Sequence, residues 1–250
     1  MQWNDELLGA VKAARAAGKQ LLACMGKSQT VLDDSGRDIK LQADRDAEAL
    51  ILDILQPFGH PVLAEERGEL GEVMSGNTPY WIVDPLDGTY NYSRVMPGCC
   101  VSIALARGME PLLGVVYDFV RDECFTGVVG EGAWLDDVPV QVAPQKPVAQ
   151  AMLTTGFSTQ GELTEETLNR FVDSARRFKK VRMLGTAALM MAYVANGRAD
   201  AYAEDHIMWW DVAGGTALVR AAGGHVEFEP SPKHKWALIV RAANNAALWE

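Results

Sequence analysis

Two carboxylates three positions apart, Asp84 and Asp87, are followed directly by Gly88 and Thr89 in the stretch Tyr80-Trp81-Ile82-Val83-Asp84-Pro85-Leu86-Asp87-Gly88-Thr89-Tyr90-Asn91-Tyr92. Paired hard oxygen donors at the end of a strand can share divalent cations, and free backbone N–H groups after a turn can bind a phosphate. The same residues also describe an ordinary Asx-turn, since Asp-Gly is among the commonest turn dipeptides. Taken alone, the stretch fits both. Acids recur where an apolar run stops, at Glu65-Glu66 after Pro61-Val62-Leu63-Ala64. A lone Glu-Glu pair there usually describes a solvated edge. Asp44 and Asp211 stand before helical patterns, where an N-cap role explains either one.

The elements that must carry these groups follow from periodicity. Apolar, aromatic and β-branched residues at 80–83 predict a buried strand, which Pro85 should stop so that Asp84 sits at its end. Helical spacing of Leu7, Leu8, Val11, Ala14, Leu21 and Leu22 predicts a first amphipathic helix over 5–25. The polar segment from Gly26 to Arg37 predicts an exposed loop, and a second helix starts near Asp44 or Asp46. Alternating strands fill Cys100–Ala106, Leu112–Tyr117, Glu123–Val129 and 130–135, with a hairpin turn at Gly108-Met109-Glu110-Pro111. The two prolines of 142–148 mark a break, giving halves 1–145 and 146–250. The second half opens on a strand at 151–156. It continues with helices at 164–178 and 187–195, a strand at 199–204 and a helix at 212–222.

Composition narrows the function. A chain of 250 residues with 48% hydrophobic content can bury a sizeable core. A net charge of −10 without a Lys/Arg cluster speaks against nucleic-acid binding. The longest purely apolar run, Ala187 to Ala195, is far shorter than a membrane span, and Asp5 and Glu6 stand where a signal peptide would be basic; both point to the cytoplasm. Cys24, Cys99, Cys100 and Cys124 have no CxxC spacing, and the four histidines form no HxxxH or HExxH pattern, so a zinc or histidine metal site is not supported.

Four separated pieces together resemble the inositol monophosphatase superfamily of metal-dependent, lithium-sensitive phosphatases. They are Ala64-Glu65-Glu66, Asp84 to Tyr92, Gly185-Thr186-Ala187-Ala188 and Trp210-Asp211-Val212-Ala213-Gly214, in the family's order and spacing. The resemblance runs from the first helix to about Val226. It implies an α/β (α+β) fold, the layered αβαβα sandwich of the inositol monophosphatase and fructose-1,6-bisphosphatase type. It further implies two or three Mg²⁺ ions: Glu66, Asp84 and the Leu86 carbonyl on one, Asp84, Asp87 and Asp211 on a second, and a weaker third near Glu66. Thr89 with Asp44 would activate the attacking water, and the N–H groups of Gly88 and Thr89 would hold phosphate. A homodimer is the assembly the family suggests.

The implied reaction is Mg-dependent hydrolysis of inositol 1-phosphate or a similar polyol or sugar phosphate by metal-activated water. Glu204, seven residues before Asp211, matches the position that accepts hydrogen bonds from ring hydroxyls, and Ala187 matches a pocket residue beside it. Histidinol phosphate, 3′-phosphoadenosine 5′-phosphate and fructose 1,6-bisphosphate are the alternative substrates on the same core. A metal- or RNA-associated regulator that kept the fold is the alternative outside catalysis. Two departures stand out. Lys40-Leu41 replaces a common Val-Thr pair, leaving Lys40 either at the phosphate or on the exposed loop. Glu229-Pro230-Ser231-Pro232 replaces a usual Asp-Gly turn, which puts the last strands in question.

Overall fold

The computed structural model describes residues 3–35 and 38–250. Helix α1 (Asn4–Cys24) is followed by a hairpin of β1 (Val31–Ser35) and β2 (Asp38–Leu41), then by α2 (Gln42–Leu55). The sequence predicts a loop over much of that hairpin; Gly36 and Arg37, within the expected loop, lie outside the described residues. Strands β3 (Val62–Ala64), β4 (Gly68–Leu70), β5 (Tyr80–Asp87), β6 (Cys100–Arg107), β7 (Glu110–Asp118), β8 (Glu123–Val128), β9 (Gly132–Leu135) and β10 (Val138–Val140) form an eight-stranded sheet. Its order is β10-β9-β8-β7-β6-β5-β3-β4, and the short helix α3 (Thr89–Ser93) leaves the end of β5.

The continuous apolar character of β5 has a direct cause, because both faces of this sheet are buried. Trp81 and Val83 pack with Ala10, Ala14 and Ala17 of α1 and Ile51 of α2, while Tyr80 and Ile82 face the other way. That second face meets α5 (Ala187–Ala195) and α6 (Trp209–Ala221). Eight of the nine α5 residues are buried, as expected of a helix apolar all round.

Beyond α5 and α6 lies a five-stranded sheet of order β12-β11-β13-β15-β14, built from β11 (Met152–Thr155), β12 (Lys180–Arg182), β13 (Ala201–Met208), β14 (His225–Pro230) and β15 (Ala237–Ala243). Tyr202 and Val240 enter the shared core, whereas Leu153, Ala201 and Ala243 of the opposite face pack with Phe178 at the end of α4 (Glu165–Arg177). Helices, sheet, helices, sheet and helix thus make the expected αβαβα layering. The final strands form despite the Pro-rich segment, which leaves β14 after Pro230.

Two local expectations are corrected. β5 does not stop before Pro85 but runs on to Asp87, and its pairing with β6 slips between Asp84 (opposite Ser102) and Asp87 (opposite Cys100). The slip inserts one extra residue, a bulge in which the missing proline donor costs no ladder hydrogen bond. Asp44 and Asp211 are not N-caps either. Their helices start earlier, at Gln42 and Trp209, so both acids occupy the third helical position.

Candidate active site

Three element ends converge where β5 finishes. The bulge carries Asp84 and Asp87 there, the N-terminus of α5 meets Asp87, and the first turn of α6 brings Asp211. Thr186, the N-cap of α5, donates its hydroxyl to Asp87 Oδ2 at 2.7 Å, and the Ala188 N–H donates to the same oxygen at 2.7 Å. The Leu86 N–H donates to Asp84 Oδ1 at 2.9 Å, and the Met208 N–H donates to Asp211 Oδ2 at 3.2 Å.

Glu65 completes this group. Its carboxyl group stands within hydrogen-bonding reach of Asp84. Burial pushes Glu65 up to about 8, and the charge of Asp44 adds to the shift while Lys40 opposes it. Asp84 is driven well above the usual carboxylate range by burial and then by Glu65, Asp87 and Asp211. Asp211 moves the same way through burial and the charges of Asp87 and Glu65. Asp87 rises to about 6 through burial, restrained by its hydrogen bonds from Thr186 and the α5 backbone.

Beside this group, Thr89 Oγ1 lies 2.9 Å from Asp44 Oδ1 and 2.9 Å from the Leu86 carbonyl oxygen. One hydroxyl proton cannot serve both acceptors at once. Asp44 is buried, its other oxygen accepts the Leu41 N–H at 3.0 Å, and burial raises it to about 7. Asp44 can therefore take up a proton near neutrality.

Gly88 holds the turn between these residues at φ +91, and a Cβ there would fall 2.5 Å from the Gly98 carbonyl oxygen. Both conditions require glycine. Asn91 Nδ2 ties the flanking segments together by donating to the carbonyls of Gly98 and Leu184, each at 2.7 Å.

The structure departs from expectation at Glu66. Its carboxylate is turned to Lys40 Nζ at 2.7 Å and Arg45 Nε at 3.4 Å, and its backbone N–H donates to Glu48 at 2.9 Å. The two adjacent glutamates stand in the turn that follows β3, and the charge of Glu66 acts on Asp44 and Glu65, but only one of the pair carries its carboxyl group to Asp84. That one is Glu65, which the sequence reasoning passed over. Lys40 belongs to β2 and holds Glu66 rather than lying on a loop.

Glu204 points toward the same centre: its charge raises Asp211, and the Tyr202 hydroxyl donates to its Oε2 at 3.0 Å. A Cβ on Gly156 would meet Glu204 Oε2 at 2.5 Å, so glycine is what seats that carboxylate. Ala187 is buried at the start of α5, where its N–H also bonds Asp87. His206 lies within β13 at a register slip with φ +64. Its carbonyl accepts from Ser158 and its Nδ1 bonds Ser231, each at 2.7 Å. Thr186, Asn91 and Gly156 were also missed as supports; Thr186 carried a signal, as a cap residue before an apolar helix.

Among the described residues, no group of three or more His, Cys, Asp or Glu converges as a ready-made cation cage. The donor set nevertheless fits a hard divalent cation. Glu65, Asp84, Asp87 and Asp211 are all oxygen donors whose burial and mutual repulsion oppose simultaneous ionisation, and a divalent cation relieves both effects.

A profile of the inositol monophosphatase family matches residues 3–242. Over 221 residues the chain is 42% identical to Nus factor SuhB of Xylella fastidiosa, covering 86% of this chain and 79% of the relative. Over 234 residues it is 37% identical to inositol monophosphatase 1 of Solanum lycopersicum, covering 91% and 85%. The solved inositol monophosphatase from Anabaena (Nostoc) sp. superposes with a TM-score of 0.85 at 34% identity, covering 99% of this chain and 94% of that one.

Proposed function

This chain belongs to the inositol monophosphatase family, and from that premise we propose that it hydrolyses a phosphate monoester of a small polyol such as inositol 1-phosphate, with magnesium bound at the carboxylate group. The observation that carries this reading is the convergence of Glu65, Asp84, Asp87 and Asp211 at one end of β5, beside the Thr89–Asp44 hydrogen bond. Glu65, Asp84, the Leu86 carbonyl, Asp87 and Asp211 would hold the ions, with Asp84 shared. Bound there, magnesium would neutralise the phosphate dianion and make water a stronger nucleophile at neutral pH.

The chain's own residues supply the remainder. Asp44 Oδ1 accepts the proton of Thr89 Oγ1 as Thr89 accepts one from the attacking water, so the proton leaves toward a carboxylate with a pKa of about 7. The backbone N–H groups of Gly88 and Thr89 hold the phosphate. Glu204 receives the substrate's hydroxyls, with Ala187 lining the same pocket, and its negative charge disfavours a second phosphate at that place. Direct attack by water agrees with the thiols. Burial pushes Cys99 and Cys124 up to about 12 and Cys100 well above its ordinary value, which leaves no thiolate nucleophile at this site. Two or three magnesium ions, lithium sensitivity, a cytoplasmic setting and a homodimer belong to the same reading.

The name of the Xylella relative, Nus factor SuhB, favours a second reading: a regulator that retains the fold. A phosphate-release panel with magnesium separates the two. Turnover of polyol phosphates above histidinol phosphate, 3′-phosphoadenosine 5′-phosphate and fructose 1,6-bisphosphate is expected, and Asp84→Asn should abolish it. Absence of turnover on every ester would leave the regulator, and preference for the nucleotide would sink the polyol assignment.

A further inference from the structure

β6 sets a hydrogen-bonding side chain opposite each aspartate of the β5 bulge: Cys100 is the register partner of Asp87, and Ser102 that of Asp84. In an unbroken strand the spacing of Asp84 and Asp87 would turn them to opposite faces. The extra residue of the bulge turns both to the face that meets α5 and α6. Cys100 uses its place there, with its thiol 3.9 Å from Asp87 Oδ2 and 3.5 Å from Thr186 Oγ1. Ser102 does not. The residue is 1% exposed, and its hydroxyl has no hydrogen-bond partner among the described residues. Buried hydroxyls are normally paired, because an unpaired one gives up its hydration without compensation.

The surroundings of Ser102 leave it one strong acceptor. Across the sheet it stands between Asp84 of β5 and Val116 of β7, and Cys100 and Ala104 flank it along the same face of β6. Gly214, three residues beyond Asp211 on α6, closes this face so tightly that a Cβ there would fall 2.7 Å from Ser102 Oγ. Of these neighbours, Asp84 alone carries a carboxylate. Directly opposed residues of an antiparallel pair have Cβ atoms about 4.5–5.5 Å apart, a gap that a serine hydroxyl bridges to a carboxylate oxygen by changing its staggered rotamer. Asp84 also has capacity for a further donor. Asp87 accepts the Thr186 hydroxyl and the N–H groups of Ala187 and Ala188, whereas the backbone gives Asp84 the Leu86 N–H, on Oδ1.

We propose that Ser102 is a positioning residue for the metal site, its hydroxyl donating to Asp84 and holding that carboxylate in place as magnesium binds. The inference rests on the reading that Asp84 is shared between the ions. It gives the hydroxyl a role in cation binding and none in the stability of the metal-free chain.

Ser102→Ala deletes the hydroxyl and little else. Calorimetric titration of the parent chain and the variant with magnesium, beside thermal unfolding of both in EDTA, tests the assignment. The variant should bind magnesium about tenfold more weakly or worse, the usual loss when a group that orients a metal ligand is removed. Its unfolding temperature in EDTA should equal or exceed that of the parent, since a hydroxyl without a partner contributes nothing to the metal-free fold. A serine that only supports packing gives the reverse, a lower unfolding temperature in EDTA with unchanged magnesium affinity. Either of those two results overturns the proposal. Magnesium binding by the parent with equal affinity in the variant removes the role of Ser102 alone, whereas no magnesium binding by the parent removes the metal site along with it.

Discussion

Asp44 and Thr89, 45 positions apart in the chain, meet in a 2.9 Å hydrogen bond whose hydroxyl also reaches the Leu86 carbonyl. Asp44 arrives on the first turn of α2 and Thr89 on the turn leaving β5, so the bond joins the outer helix layer to the end of the central sheet. Its chemistry requires the hydroxyl, and Thr89→Val keeps the shape while deleting it. The variant should lose ~10²–10⁴-fold in kcat/KM with little change in magnesium affinity. Steady-state kinetics beside a magnesium titration check this, and a rate within a few-fold of the parent would remove the relay.

The two adjacent glutamates should separate cleanly. Glu65→Gln takes a donor from the buried group and is expected to lower magnesium affinity by ~10²-fold or more. Glu66→Gln frees Lys40 and Arg45, which are 31% and 57% exposed, from a carboxylate that is only 3% exposed, so a stability loss of about 1–3 kcal/mol with nearly unchanged magnesium affinity is expected. Equal defects in the two variants would contradict the assignment of Glu65.

Gly156→Ala places a methyl group where the Glu204 carboxylate now sits. KM for inositol 1-phosphate should rise by ~10-fold, while an aryl phosphate without hydroxyls should be turned over as before. A common loss on both substrates would mean that the glycine supports the fold rather than polyol recognition.

Stability in a chelator should depend on pH in a defined direction. Glu65 at about 8, Asp44 at about 7 and Asp87 at about 6 all lie above their ordinary values, as do Asp84 and Asp211. In the unfolded chain these groups titrate near 4, so between roughly pH 4 and 8 the folded state binds more protons. Stability is therefore greatest at the acidic end of that window and falls as pH rises through it. Magnesium, which stabilises the ionised carboxylates, should raise the unfolding temperature more at pH 8 than at pH 5.5. Thermal unfolding with EDTA or magnesium at the two pH values measures this, and an equal magnesium effect at both would break the link.

The sequence by itself determined the chemistry of the centre and much of the layering. Asp84, Asp87, Gly88 and Thr89 are close in the chain, and their types limit them to cations, anions and turns whatever surrounds them. The all-apolar α5 and the unbroken run before Asp84 likewise announced burial, because solvent-facing elements alternate polar and apolar residues. Tertiary structure decided what local patterns cannot encode. Which of Glu65 and Glu66 turns inward depends on where Lys40, Arg45 and Glu48 stand, and these come from β2 and α2. Whether Pro85 ends a strand or sits in a bulge depends on the register of β6. Asp44 and Asp211 looked like helix caps because their neighbours allow it. Their position in the first turn, and their approach to Thr89 and Asp87, arise only when four separate elements pack around the end of β5.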